Sequence, residues 1–175
     1  VAGQDVVDAI AQGDIIKTVQ IIRNGEQAKA FEVTTQSFTV LVASADERSR
    51  QRTAKEREKI DAELKNRYPE AIATQSGLRY VVRKAGDGKR KPAWGQKVTV
   101  HYSGSLLDGR IFDSSIQRGQ PTTFKVGEVI EGWNEALVEM SVGEKRTLII
   151  PPDLGYGTMG YPGVIPPDAT LIFEV

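Results

Sequence analysis

Two stretches of this 175-residue chain bring together residue types that could do chemistry: V-I-E-G-W at residues 129–133 and Y-G-T-M-G-Y-P-G-V-I at residues 156–165. The first is a short apolar run that turns at Gly132 into a predicted helix, because Trp133, Ala136, Leu137 and Met140 recur at i, i+3, i+4 and i+7. The second is too rich in Gly, Pro and aromatics for a regular element and reads as a loop. Together they predict an indole-floored hollow under a proline-stiffened flap, suited to an apolar, uncharged group. No nucleophile triad or phosphate loop accompanies them. The chain has no cysteine and its one histidine is His101, which removes disulfides, thiolate chemistry and multi-histidine or cysteine-zinc centres. No metal ligands and no cofactor are expected.

The remaining composition narrows the partners. Hydrophobic content of 39% and charged content of 26% are those of a globular protein with a modest core. Lys+Arg 23 against Asp+Glu 23 gives a formal charge of zero, so no global field draws the chain to nucleic acid or an anionic membrane. No apolar run reaches the roughly 18 residues needed for a membrane span. The N-terminus lacks a signal-peptide pattern and begins with Val1 rather than Met, which reads as a processed or truncated start.

A frame must hold these residues, and from residue 77 onward the pattern is β. Leu78, Tyr80 and Val82 alternate with Arg79, Val81 and Arg83. Val98, Val100 and Tyr102 share one side, and Asp108-Gly109 makes a turn. Short strands follow at residues 111–113 and 122–126, then the helix near Gly132, a strand at 145–150, and a last one placing Leu171, Phe173 and Val175 on a buried face. This is an α+β architecture, an antiparallel sheet with one short helix packed on it. Upstream, residues 44–67 read as a long charged helix, with Ser44 and Glu47 as a capping box and Pro69 as its stop. Its apolar stripe is narrow, Ile60, Leu64, Tyr68 and Ile72, so its first half reads as a solvated spacer. The basic residues Arg48, Arg50, Arg52, Lys55 and Arg57 are interleaved with acids and read as a solvated face. Arg83, Lys84, Lys89, Arg90 and Lys91 form a denser basic cluster around the turn Gly86-Asp87-Gly88, as loops of this size often do. Nearer the start, a short helix at 5–10 and strands at 17–23 and 28–33 are expected, too small a piece to stand alone.

Five motifs occur in order: V-T-V-H-Y-S-G, D-G-R-I-F-D-S-S, F-K-V-G-E-V-I-E-G-W, P-P-D-L-G-Y-G and P-G-V-I-P-P-D-A-T-L-I-F-E-V. In that order and spacing they resemble the FKBP family of peptidyl-prolyl cis-trans isomerases over residues 77–175. The preceding S-G-L-R-Y-V-V-R-K-A-G-D-G is similar to the first strand of bacterial members of the macrophage-infectivity-potentiator type. G-Q-D-V-V-D-A-I-A-Q-G-D with V-Q-I-I-R-N-G-E-Q-A-K-A-F resembles the end of a bacterial cyclophilin over about residues 1–36, without that family's catalytic arginine or pocket aromatics. Three segments are therefore expected: 1–38 cyclophilin-like, 39–76 a charged helical linker, and 77–175 an FKBP-like sheet wrapped on one short helix. Val175 would fall part-way through the last strand.

The resemblance implies a site in which Asp113, Tyr102 and Tyr156 are catalytic and Arg118 holds Asp113. Phe112, Phe124, Val129, Ile130, Trp133, Tyr161, Ile165 and Phe173 would contact the ligand. Trp133 is implied as the platform under the substrate proline, with the Ile130 amide and the Tyr156 hydroxyl as donors. Tyr161 stands where many members carry His. Such a pocket suits amide rotation. The planar amide is held by a barrier of about 18–20 kcal/mol, X-Pro bonds take tens to hundreds of seconds unaided, and nothing need be attacked or protonated. The expected partners are proline-containing polypeptides and macrolide FKBP ligands, with no nucleic acid and no membrane span. A dimer through the N-terminal helix is one assembly such a chain could form. A bacterial cytoplasmic location is expected, with a periplasmic or membrane-associated one as the alternative. The rival function is a chaperone module that binds proline turns with little or no isomerase activity.

Overall fold

The computed structural model describes residues 35–175. The elements expected at 5–10, 17–23 and 28–33, and with them nearly all of the cyclophilin-like segment, lie outside the described residues. The chain divides into the units Val1–Arg57 and Glu58–Val175. Helix α1 covers Thr35–Arg67 and so starts ahead of the expected Ser44. The reason is simple. No Gly or Pro occurs between Gly25 and Pro69, and a serine alone does not stop a helix.

In the second unit, β1 (Ile72–Ala73), β2 (Arg79–Lys84), β4 (Ser103–Leu106), β5 (Ile111–Ser114), β7 (Lys145–Ile150) and β8 (Leu171–Glu174) form an antiparallel sheet in the order β1-β2-β7-β8-β4-β5. Strands β3 (Lys97–Val100) and β6 (Thr122–Lys125) pair separately. The break between β3 and β4 falls at His101-Tyr102. There the Tyr102 amide donates to Ser115 Oγ at 2.7 Å, and the Tyr102 carbonyl accepts from the Ser115 amide at 3.0 Å. Those backbone groups are thus satisfied by a loop residue instead of a neighbouring strand. Helix α2 (Glu131–Glu139) buries Trp133, Ala136 and Leu137.

Strands β7 and β8 are apolar on both faces. Leu148, Ile150, Leu171 and Phe173 join Trp133, Leu137 and Met140 in the larger core. Ile149 and Ile172, directly paired, face the other way and pack with Val81, Leu64 and Tyr68. Ile60, Leu64 and Tyr68 are spaced by four and so share one side of the chain leaving α1. Ile72, expected to continue that stripe, instead lies in β1 and is exposed. After Pro69 breaks the helix the period changes from 3.6 to 2, which takes Ile72 off the face. The expected single helix over one side of the sheet is thus half of the arrangement. Residues 60–68 cover the other side.

Candidate active site

Trp133 is placed by the first turn of α2 and is 3% exposed. Around it stand Tyr102 from the β3–β4 break, Phe124 from β6 and Phe173 from β8. Each ring centroid lies 5.2 Å from that of the indole for Tyr102, Phe124 and Phe173, at interplanar angles of 90°, 71° and 85°. Edge-to-face packing of this kind is favoured by the ring quadrupoles and fixes the indole plane. Indole Nε1 is buried and finds no hydrogen-bond acceptor among the described residues, so the ring serves by its area. Phe112 adds a further edge-on contact to Phe173 at 5.5 Å. Glycine is required at Gly104 beneath this pair, since a Cβ there would lie 2.5 Å from Phe173 Cε1 and 2.8 Å from Phe112 Cζ.

These residues line a cavity of about 470 Å³ together with Asp113, Glu128, Val129, Ile130 and Tyr156. Nine expected site residues therefore meet: Tyr102, Phe112, Asp113, Phe124, Val129, Ile130, Trp133, Tyr156 and Phe173. Ile165 does not line it; it is 5% exposed and packs in the core. Tyr161 does not line it either, and stands behind Tyr156 with ring centroids 6.0 Å apart.

One rim of the cavity is ionic. The Tyr102 hydroxyl donates to Asp113 Oδ2, and Arg118 Nη1 donates to Asp113 Oδ1. Arg118 Nη2 also donates to the Tyr102 hydroxyl at 2.9 Å. The triangle holds the carboxylate from two sides. Burial alone would push the Asp113 pKa up, but the Tyr102 hydrogen bond and the Arg118 guanidinium outweigh it and hold the acid below its ordinary value. Tyr102 is pushed up, first by burial and then by its bond to Asp113. Burial, followed by the negative charge of Asp113, also raises Tyr156. At neutral pH the rim therefore presents one carboxylate and two protonated phenols. The Ile130 amide and the Tyr156 hydroxyl have no partner among the described residues, while the Ile130 carbonyl accepts from Trp133 and Asn134.

Three contributors escape a reading of the sequence. Asn134 is 1% exposed. Its Oδ1 accepts from the Gly127 amide and its Nδ2 donates to the Val129 carbonyl, both at 2.8 Å, so it ties the loop that forms one cavity wall. Ser115 fixes the Tyr102 backbone. Glu128 lines the mouth, paired with Lys125 at 2.6 Å. A polar residue inside an amphipathic helix, as Asn134 is, was the available signal. Ser115 and Glu128 had none, since their partners come from the fold.

The fold is an antiparallel sheet wrapped on a short helix, with an aromatic cavity lined from both. The family model for the FKBP-type peptidyl-prolyl cis-trans isomerase matches residues 88–175. The chain is 52% identical over 101 residues to the peptidyl-prolyl cis-trans isomerase Fkbp12 of Drosophila melanogaster, covering 57% of this chain and 94% of that protein. It is 50% identical over 113 residues to the macrophage infectivity potentiator of Trypanosoma cruzi, covering 65% of this chain and 58% of that one. The crystal structure of FkpA from Escherichia coli matches with a TM-score of 0.62 at 37% identity, over 79% of this chain and 66% of that chain. The chain belongs to the FKBP-type peptidyl-prolyl cis-trans isomerase family, and its function is to isomerise X-Pro peptide bonds.

Proposed function

We propose that isomerisation takes place in the Trp133 cavity without any covalent step, and that Asp113, Tyr102 and Tyr156 are its polar participants. The observation that carries this reading is a cavity whose walls include the six aromatic side chains Tyr102, Phe112, Phe124, Trp133, Tyr156 and Phe173, with polarity gathered at one rim. The proline ring packs on the indole. Removal from water disfavours the charge-separated resonance form of the planar amide relative to its twisted transition state. The substrate carbonyls meet the Tyr156 hydroxyl and the Ile130 amide, both otherwise unpartnered. Asp113, fixed by Tyr102 and Arg118, sets the field at the rotating carbonyl. The same features suit a macrolide FKBP ligand, which would occupy the proline position and compete with substrate.

A protease-coupled proline-peptide assay with macrolide competition tests this. Acceleration should be abolished by the macrolide, and indole fluorescence should change on titration in the native chain. Trp94 is 64% exposed and supplies the background. A fluorescence change that survives Trp133→Leu would move the ligand to another site.

Two readings rest on the sequence alone: a cyclophilin-like origin for residues 1–36 and dimerisation through the helix that follows. The motif G-Q-D-V-V-D-A-I-A-Q-G-D supports the first, and the charged, proline-free run up to Arg67 supports the second. Sedimentation of the chain beside a version beginning at Glu58 tests the dimer. Equal mass per particle for both, after allowing for the residues removed, would end that reading.

A further inference from the structure

We propose that Tyr161 is a positioning residue whose ring acts as a strut for Tyr156. The inference rests on the reading above that the Tyr156 hydroxyl donates to the substrate. Tyr156 lines the cavity, yet it is 37% exposed and its hydroxyl has no partner among the described residues. Nothing polar therefore sets the direction of its phenol. Among the described aromatic residues, the ring that packs on it is Tyr161, edge-on at 6.0 Å and 64°. Tyr161 is 55% exposed and does not reach the cavity, so its contact with Tyr156 is its closest link to the chemistry.

A strut must itself be anchored, and this one is. The Tyr161 amide donates to the Ile165 carbonyl and the Ile165 amide donates back to Tyr161, each at 2.8 Å. The Ile165 side chain is rooted in the same core as Trp133. At the other end the Gly160 amide donates to the Tyr156 carbonyl at 3.1 Å. Gly160 has φ 62, and a Cβ there would lie 2.4 Å from the Ile165 carbonyl oxygen, so this close crossing of the loop requires glycine. The backbone of the flap is thus cross-tied to the core. Tyr161 carries that fixity to a phenol that would otherwise sample several rotamers on an open rim.

The test is a double-mutant cycle on kcat/KM with a proline peptide, using the whole chain. Tyr161→Leu should lower kcat/KM about fivefold, and Tyr161→Phe, which keeps the ring edge, should restore it. Tyr156→Phe should reduce kcat/KM in the native chain but have almost no further effect once Tyr161→Leu is present. Melting temperatures of all variants should stay close to that of the native chain, because both positions are exposed. Equal cost of Tyr156→Phe in the two backgrounds overturns the strut while leaving the hydroxyl's role intact. No cost of Tyr156→Phe in the native chain overturns both, and is told apart from the first outcome by that single measurement.

Discussion

The two faces of the six-stranded sheet are built from the same strands and do different work. On one, Leu148, Ile150, Leu171 and Phe173 pack against α2, and the aromatic side chains leave a cavity open to solvent. On the other, Ile149, Ile172 and Val81 are closed over by Leu64 and Tyr68. Around this second face lie Arg67, whose Nη1 donates to the Leu107 carbonyl at 2.9 Å, and the Arg79–Asp61 pair at 2.7 Å. One face gives up packing to keep a hollow; the other fills its space. Function here is a local withdrawal of packing, offset by the filled opposite face and by the edge-on aromatic contacts around the indole.

The largest test of that division is Trp133→Ala. It removes the ring at the centre of three edge contacts, so stability should fall by about 3–5 kcal/mol. The kcat/KM of the molecules that remain folded should fall by at least about 100-fold, or ~2.7 kcal/mol. Denaturant titration alongside the peptide assay reads both. Activity per folded molecule that stays unchanged would place the reaction elsewhere. Next is Leu64→Ala on the filled face, which should cost about 2–5 kcal/mol. Leu64 is 4% exposed and touches no site residue, so kcat/KM per folded molecule should not change. Loss of turnover at constant stability would mean that the two faces are coupled through β7 and β8. Smaller again is Asp113→Val, expected to lower kcat/KM about tenfold, ~1.4 kcal/mol. Macrolide affinity should fall less, since the aromatic walls remain. Full activity with a lower melting temperature would reduce Asp113 to a turn residue.

Much of the cavity face was legible because its residues sit in elements with a period. Tyr102 follows from the alternation of Val98 and Val100, Phe173 from that of Leu171, and Trp133 from the helical spacing to Leu137 and Met140. The order of the five motifs then joined residues from separate strands. The filled face was less legible. Ile149 and Ile172 each stand between apolar neighbours, and a continuous apolar run does not say that a sheet is covered on both sides until its partner is seen. The flap was the least legible part. Its irregular backbone has no period, so nothing in Y-G-T-M-G-Y-P-G-V-I separates Tyr156, which lines the cavity, from Tyr161 behind it or Ile165 beneath. Closure depends on backbone bonds between Tyr161 and Ile165, which carry no side-chain signature.

The last and smallest effect is the response of the open face to acid. Asp113 is lowered against the pull of burial by the Tyr102 hydroxyl and Arg118. Its side chain is 42% exposed, so solvent screens the interaction and the effect is modest. The sign follows from which form is favoured. With the folded value below the unfolded one of about 3.9, the stabilisation is fully present above that unfolded value and is lost as pH falls through the lower, folded value. The kcat/KM profile should therefore be flat from neutral pH down past about pH 5, and fall only below the ordinary aspartate range. Exchange spectroscopy on a proline peptide can follow this without a coupling protease. Arg118→Gln removes a charge that holds the carboxylate ionised, so the acid limb should move up in pH while Leu64→Ala leaves it in place. An acid limb indifferent to Arg118→Gln would mean that the fall reports unfolding of the whole sheet rather than titration of the rim.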